Sequence, residues 1–79
     1  MKIPRDLSGP ELIKKLKRFG YTPTRQTGSH VRLTTTQKGE HHVTIPNHDN
    51  LKIGTLSSIL SDVASHFGVT KEHLIGELF

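Results

Sequence analysis

His30-Val31-Arg32-Leu33-Thr34-Thr35-Thr36 and, beyond a Lys38-Gly39 turn signal, His41-His42-Val43-Thr44-Ile45-Pro46 both alternate apolar with polar side chains. A period of two sends successive side chains to opposite faces of a strand. Val31 and Leu33 therefore share one face while His30, Arg32 and Thr34 take the other, and Val43 with Ile45 forms the matching buried set of the second strand. Pro46 closes that run. Upstream, Tyr21-Thr22-Pro23-Thr24-Arg25-Gln26 is β-prone but interrupted by Pro23, which has no N–H for a ladder and so belongs on an edge. Three antiparallel strands are the economical reading.

Helical signals flank this sheet. Ser8 and Glu11 have the spacing of a capping box, with Leu7 and Leu12 as the hydrophobic staple. At about 100° per residue, Leu12, Ile13, Leu16 and Phe19 gather on one side of the first helix. Lys14, Lys15, Lys17 and Arg18 spread over the other, and Gly20 supplies a left-handed stop. After the polar Asn47-His48-Asp49-Asn50 connection, a second helix is predicted from an N-cap at Thr55, carrying Leu56, Ile59, Leu60 and Val63 at helical spacing up to Gly68. Thr70 caps a short third helix, stapled by Val69 and Leu74. The predicted order is α-β-β-β-α-α, an α+β fold with helices on one face of the sheet.

The chain has 79 residues, and this reading treats residues 1–79 as one domain. A chain so short buries roughly 60% of its unfolded surface, so its core is thin and a large enclosed substrate cavity is not expected. Cysteine is absent, which excludes disulfides, a thiolate zinc site and a cysteine nucleophile. The formal net charge is +4, a balance that favours polyanionic partners. Up to residue 40 there are nine bases and three acids, a net +6; from residue 41 there are two bases and four acids, a net −2. The basic surface thus belongs to the first half. Met1-Lys2-Ile3-Pro4-Arg5-Asp6 lacks the apolar run of a signal peptide, and no stretch approaches a membrane span, so a cytoplasmic location without membrane association is expected.

Histidine, with six copies, is the one abundant proton-transfer residue. His30 follows Gly28 and Ser29 and lies on the polar face of its strand, where small neighbours let a phosphate approach backbone and imidazole; a surface histidine after a glycine turn has the same local pattern. His48, in the loop before the second helix, offers a second imidazole or phosphate contact, or is a hydrated loop residue. His41 and His42 point to opposite faces and make no compact metal site by themselves. With no cysteine and no His-x-x-x-His pair, neither a metal nor another cofactor is expected. His66 and His73 read as solvated or helix-end residues. No phosphate-cradling glycine loop or Gly-x-Ser-x-Gly elbow is present. Four aromatic residues are too few for a stacking platform, and Phe19 and Phe67 read as core.

RNA brings its own nucleophile, the 2′-hydroxyl beside the scissile phosphate. A protein that cleaves it needs a proton acceptor, a proton donor and cationic stabilisation. His30, with His48 as a possible second acid or base, Arg25, Arg32 and Lys52 nearest the phosphate, and Lys14, Lys15 and Lys17 steering the backbone, would meet that need. Two other readings fit the same topology and charge: a non-catalytic module that binds structured RNA, and a protein-interaction domain with an acidic partner.

Gly28-Ser29-His30, Val43-Thr44-Ile45-Pro46 with His48, Leu51-Lys52-Ile53-Gly54-Thr55-Leu56 and Ile59-Leu60, in that order and spacing, resemble the HicA family of toxin–antitoxin systems. The likeness runs from about Leu7 to the C-terminal helix. It implies a fold similar to the double-stranded-RNA-binding domain and activity as a ribosome-independent mRNA endoribonuclease that halts translation and growth. It implies that His30, in the Gly-Ser-His motif, is the catalytic histidine, and that a HicB-type antitoxin binds the protein and masks it. The chain departs from the family pattern in two places: Ser61-Asp62-Val63-Ala64-Ser65-His66-Phe67 prolongs the second helix before Gly68, and the His41-His42 pair has no family counterpart.

Overall fold

The computed structural model describes Ile3, Pro4 and residues 6–79; Lys2 and Arg5, two of the first-half bases, lie outside the described residues. Helix α1 spans Gly9–Leu16 and continues as a 3-10 turn over Lys17–Phe19. The strands are β1 (Thr22–Thr27), β2 (His30–Thr35) and β3 (His41–Pro46), followed by α2 (Ile53–Phe67) and α3 (Lys71–Leu78). The sheet is antiparallel with order β1-β2-β3. This is the predicted α+β order.

The capping box forms as read from the sequence: the Ser8 hydroxyl accepts from the Glu11 N–H at 3.2 Å, and the Glu11 carboxylate accepts from the Ser8 N–H at 3.1 Å. Leu12 and Leu16 of α1 are fully buried, and Gly20, at φ +82°, turns the chain out of the 3-10 segment. Gly9 has a further reason to be glycine. Its N–H donates to the His48 carbonyl at 2.9 Å, and a Cβ there would stand 2.0 Å from the Pro46 carbonyl oxygen. The N-terminus of α1 is thereby clamped against the end of β3.

The sheet alternates as expected. Val31, Leu33, Val43 and Ile45 are buried against Leu12, Leu16, Leu56, Leu60 and Val63 of the helical layer, each large apolar side chain adding about 1.5–3 kcal/mol. Thr35 also points inward, where its hydroxyl donates to the Phe19 carbonyl at 2.8 Å. All six residues of β1 are exposed, and a bulge between Pro23 and Arg25 breaks its register, the features of a blunted edge strand. Tyr21, read from the sequence as the first residue of that strand, instead precedes it and is completely buried in the core.

Helix α2 starts earlier than predicted. Its N-cap is Lys52, with no side-chain cap, and Thr55 lies inside the helix. The tertiary structure overrides the local cap signal: Leu51 is buried and its N–H donates to the Leu7 carbonyl at 2.8 Å, which fixes the chain so that Leu56 already bonds back to Lys52 at 2.9 Å. Gly68, at φ +68°, ends the helix. Thr70 caps α3 through the His73 N–H at 3.1 Å, and Leu74, Ile75 and Leu78 are buried.

Candidate active site

The β1–β2 connection is a two-residue hairpin, with Thr27 paired to His30 and Gly28-Ser29 between them. Gly28 has φ +58° whereas Ser29 does not enter the positive-φ region, the pattern of a type II′ turn with glycine first. The space around Gly28 is open to 4 Å, so glycine is required there by conformation. The Ser29 carbonyl accepts from the Asn47 N–H at 2.6 Å, tying this turn to the β3–α2 loop.

Cross-strand pairing then arranges the open face of the sheet in rungs. His30 stands between Thr27 and Pro46; the next rung holds Arg25, Arg32 and Thr44. Arg25, Thr27, His30, Arg32 and Thr44 line one shallow cleft of about 270 Å³. His30 is exposed, and its ring has no hydrogen-bond partner among the described residues, unlike His41, His42 and His66. Two arginines directly opposite on neighbouring strands repel each other unless an anion lies between them. An exposed imidazole beside two guanidinium groups suits a phosphodiester substrate.

Other residues singled out from the sequence lie elsewhere. His48 and Lys52 share a separate depression of about 240 Å³ with Pro46, Asn50, Leu51 and Thr55. Pro46, the cross-strand neighbour of His30, lines this depression and not the cleft of His30. Lys14 and Lys15 line a third, with Glu11 and Arg18, on the exposed side of α1 in the helical layer; Lys17 is exposed on the 3-10 turn. The sheet cleft thus unites His30, Arg25 and Arg32, next to the Gly28-Ser29 turn.

Two clusters escaped the sequence reading. On the inner side, His41 Nδ1 lies 2.7 Å from the Tyr21 hydroxyl and its Nε2 lies 3.2 Å from Asp62. Its ring stacks on that of His66 with centroids 4.4 Å apart. On the open face, His42 Nδ1 is 2.7 Å from the Thr34 hydroxyl, itself 2.8 Å from that of Thr24, and His42 Nε2 is 2.8 Å from Glu40. Alternation separates the two histidines correctly, but only the packing of α2 on β3 reveals that His41 meets Asp62 and His66, four residues apart on one helical stripe.

A family model described as the HicA toxin of bacterial toxin–antitoxin systems matches residues 9–64, from the first residue of α1 to within α2. Comparisons with curated proteins and with solved structures return no match. Among the described residues, no helix is long and apolar enough to cross a membrane. The matched stretch contains the whole sheet, the Gly-Ser-His turn and the β3–α2 loop, and on that match the chain belongs to the HicA toxin family, the toxin side of bacterial toxin–antitoxin pairs.

Proposed function

We propose that residues 1–79 form a single toxin domain that acts as a metal-independent endoribonuclease on mRNA, without the ribosome, and uses His30 for proton transfer. The observation that carries this reading is the convergence of His30, Arg25 and Arg32 on one open cleft. The substrate 2′-oxygen attacks the adjacent phosphorus while the P–O5′ bond breaks, giving a 2′,3′-cyclic phosphate and a free 5′-hydroxyl. One proton leaves the 2′-hydroxyl and one reaches the departing 5′-oxygen. His30 carries one of these transfers and His48, beyond Pro46, is assigned the other. Arg25 and Arg32 stabilise the charge that builds on the non-bridging oxygens. A HicB-type antitoxin is the proposed inhibitor, bound so that it covers His30. The kinship to double-stranded-RNA-binding domains rests on the family resemblance.

Labelled RNA incubated with purified protein in chelator tests the assignment. His30→Ala is expected to lose at least about 10²-fold in cleavage rate with its circular dichroism unchanged. Full cleavage by a folded His30→Ala protein would remove His30 from the mechanism. His48→Ala is expected to lose a similar factor, and an unchanged rate returns His48 to the role of a hydrated loop residue. RNA binding without cleavage by the wild type would establish the non-catalytic module instead.

A further inference from the structure

Between the free edge of β3 and α2 lies a groove of about 550 Å³, lined by His42 and Thr44 from the strand and by Thr55, Ser58, Ile59 and Asp62 from the helix. Thr44 also lines the cleft of His30, Arg25 and Arg32, so the two spaces adjoin across one side chain. Thr44 is one strand over from His30 and one rung along, about 5 Å across the sheet and about 7 Å along it. That span is within reach of a single nucleotide whose phosphate sits at His30.

The chemistry of the two spaces differs. The cleft is cationic, whereas the groove has no lysine or arginine among its lining residues and contains the Asp62 carboxylate. A phosphate placed there would meet like charge. Thr55, Ser58 and Asp62 fall at i, i+3 and i+7, one stripe of α2 facing the strand edge, and present two hydroxyls and a carboxylate above the apolar side chain of Ile59. Asp62 Oδ1 is engaged by His41 at 3.2 Å, which leaves Oδ2 to accept from a ligand. The His42 wall is held in place by Thr34 on one ring nitrogen and Glu40 on the other. Hydroxyl and carboxylate acceptors along one wall can meet the hydrogen-bonding edge of an unstacked nucleobase, with the His42 ring on the opposite wall.

We propose that this groove is a nucleobase subsite, which takes the base of a nucleotide flanking the scissile phosphate and selects bases that carry an exocyclic amino group over uracil. The selection follows from two acceptors four residues apart on α2: an exocyclic amino group has two N–H donors, one for Asp62 Oδ2 and one for the Ser58 hydroxyl, whereas uracil offers only its single ring N3–H between two carbonyl oxygens. The subsite rests on the ribonuclease reading above and extends it to substrate choice.

The test is cleavage of a randomised single-stranded RNA pool, with cut sites mapped by sequencing, by wild type, Asp62→Asn and Ser58→Ala. Ser58→Ala leaves the His41–Asp62 contact intact and so separates base selection from any loosening of that contact. The wild type is expected to disfavour uridine by about tenfold at one position within two nucleotides of the cut, and both variants to reduce this to within about threefold. Cleavage with no base preference there, or with a preference that either variant retains in full, overturns the subsite and leaves the ribonuclease reading standing. Absence of cleavage by the wild type overturns both.

Discussion

The Tyr21 side chain is fully buried, and its hydroxyl lies 2.7 Å from His41 Nδ1. Burial pushes its phenol well above the ordinary tyrosine range, and the nearby Asp62 carboxylate pushes in the same direction. The phenol thus stays neutral beside His41 Nδ1, while His41 Nε2 lies 3.2 Å from Asp62 Oδ1. A group whose folded-state pKa is raised stabilises the fold fully below its unfolded value, and that contribution is lost as pH rises through the folded value. Wild-type stability is accordingly expected to fall steeply above about pH 10, the unfolded tyrosine value. Tyr21→Phe should cost about 1 kcal/mol at neutral pH by leaving His41 Nδ1 without its hydroxyl partner, and should flatten the alkaline limb. Urea midpoints measured from pH 7 to 11 check this; parallel curves for the two proteins would show that the phenol does not govern alkaline unfolding. His30 is the opposite case, an exposed imidazole whose ring has no hydrogen-bond partner among the described residues.

Strand β1 gives up stability at the site. It is an edge strand with a bulge and a proline, and it places Arg25 directly opposite Arg32. Like charges facing across a ladder cost roughly 0.2–1 kcal/mol. Arg25→Thr is therefore expected to stabilise the protein by up to about 1 kcal/mol at low ionic strength, a gain that disappears as salt screens the pair. The same variant should bind RNA more weakly, and the slope of log affinity against log salt should shrink by roughly 0.7–1. Urea unfolding and fluorescence anisotropy, each at two or more salt concentrations, provide the two readings; loss of stability with unchanged RNA affinity would contradict the anion-binding role. The elements legible in the sequence are those set by local rules. Period-two alternation gave β2 and β3, the Ser8–Glu11 spacing gave the start of α1, and Thr70 gave the start of α3. The start of α2 was not legible, because the contact of Leu51 with Leu7 determines it across more than forty residues. For the same reason Tyr21, His41, Asp62 and His66 are ordinary residues in sequence and one cluster in space. Alternation placed His30 and Arg32 on one face, while the approach of Arg25 depended on the register of the bulge.

At the scale of the whole molecule the positive charge occupies two layers. Arg25 and Arg32 belong to the open face of the sheet, whereas Lys14, Lys15, Lys17 and Arg18 belong to the helical layer. There Lys15 lies 5.7 Å from the centre of the Phe79 ring, and Arg18 donates to the Glu77 carbonyl at 2.7 Å. The molecule is 17 Å across its shortest dimension, about twice the Debye length of roughly 8 Å at physiological ionic strength. An RNA strand on the sheet therefore feels the α1 lysines mainly at low salt, as a long-range field that speeds encounter. Replacing Lys14, Lys15 and Lys17 together with Gln should slow RNA association several-fold at about 0.01 M salt, where the Debye length reaches about 30 Å. The deficit should disappear near 0.15 M, and cleavage at saturating RNA should stay within about twofold of wild type at both salts. Stopped-flow association and single-turnover cleavage separate the two effects. A fall in the single-turnover rate that persists at 0.15 M would mean instead that the substrate wraps around the edge of the sheet and touches α1, a path of contact that the two-layer arrangement argues against.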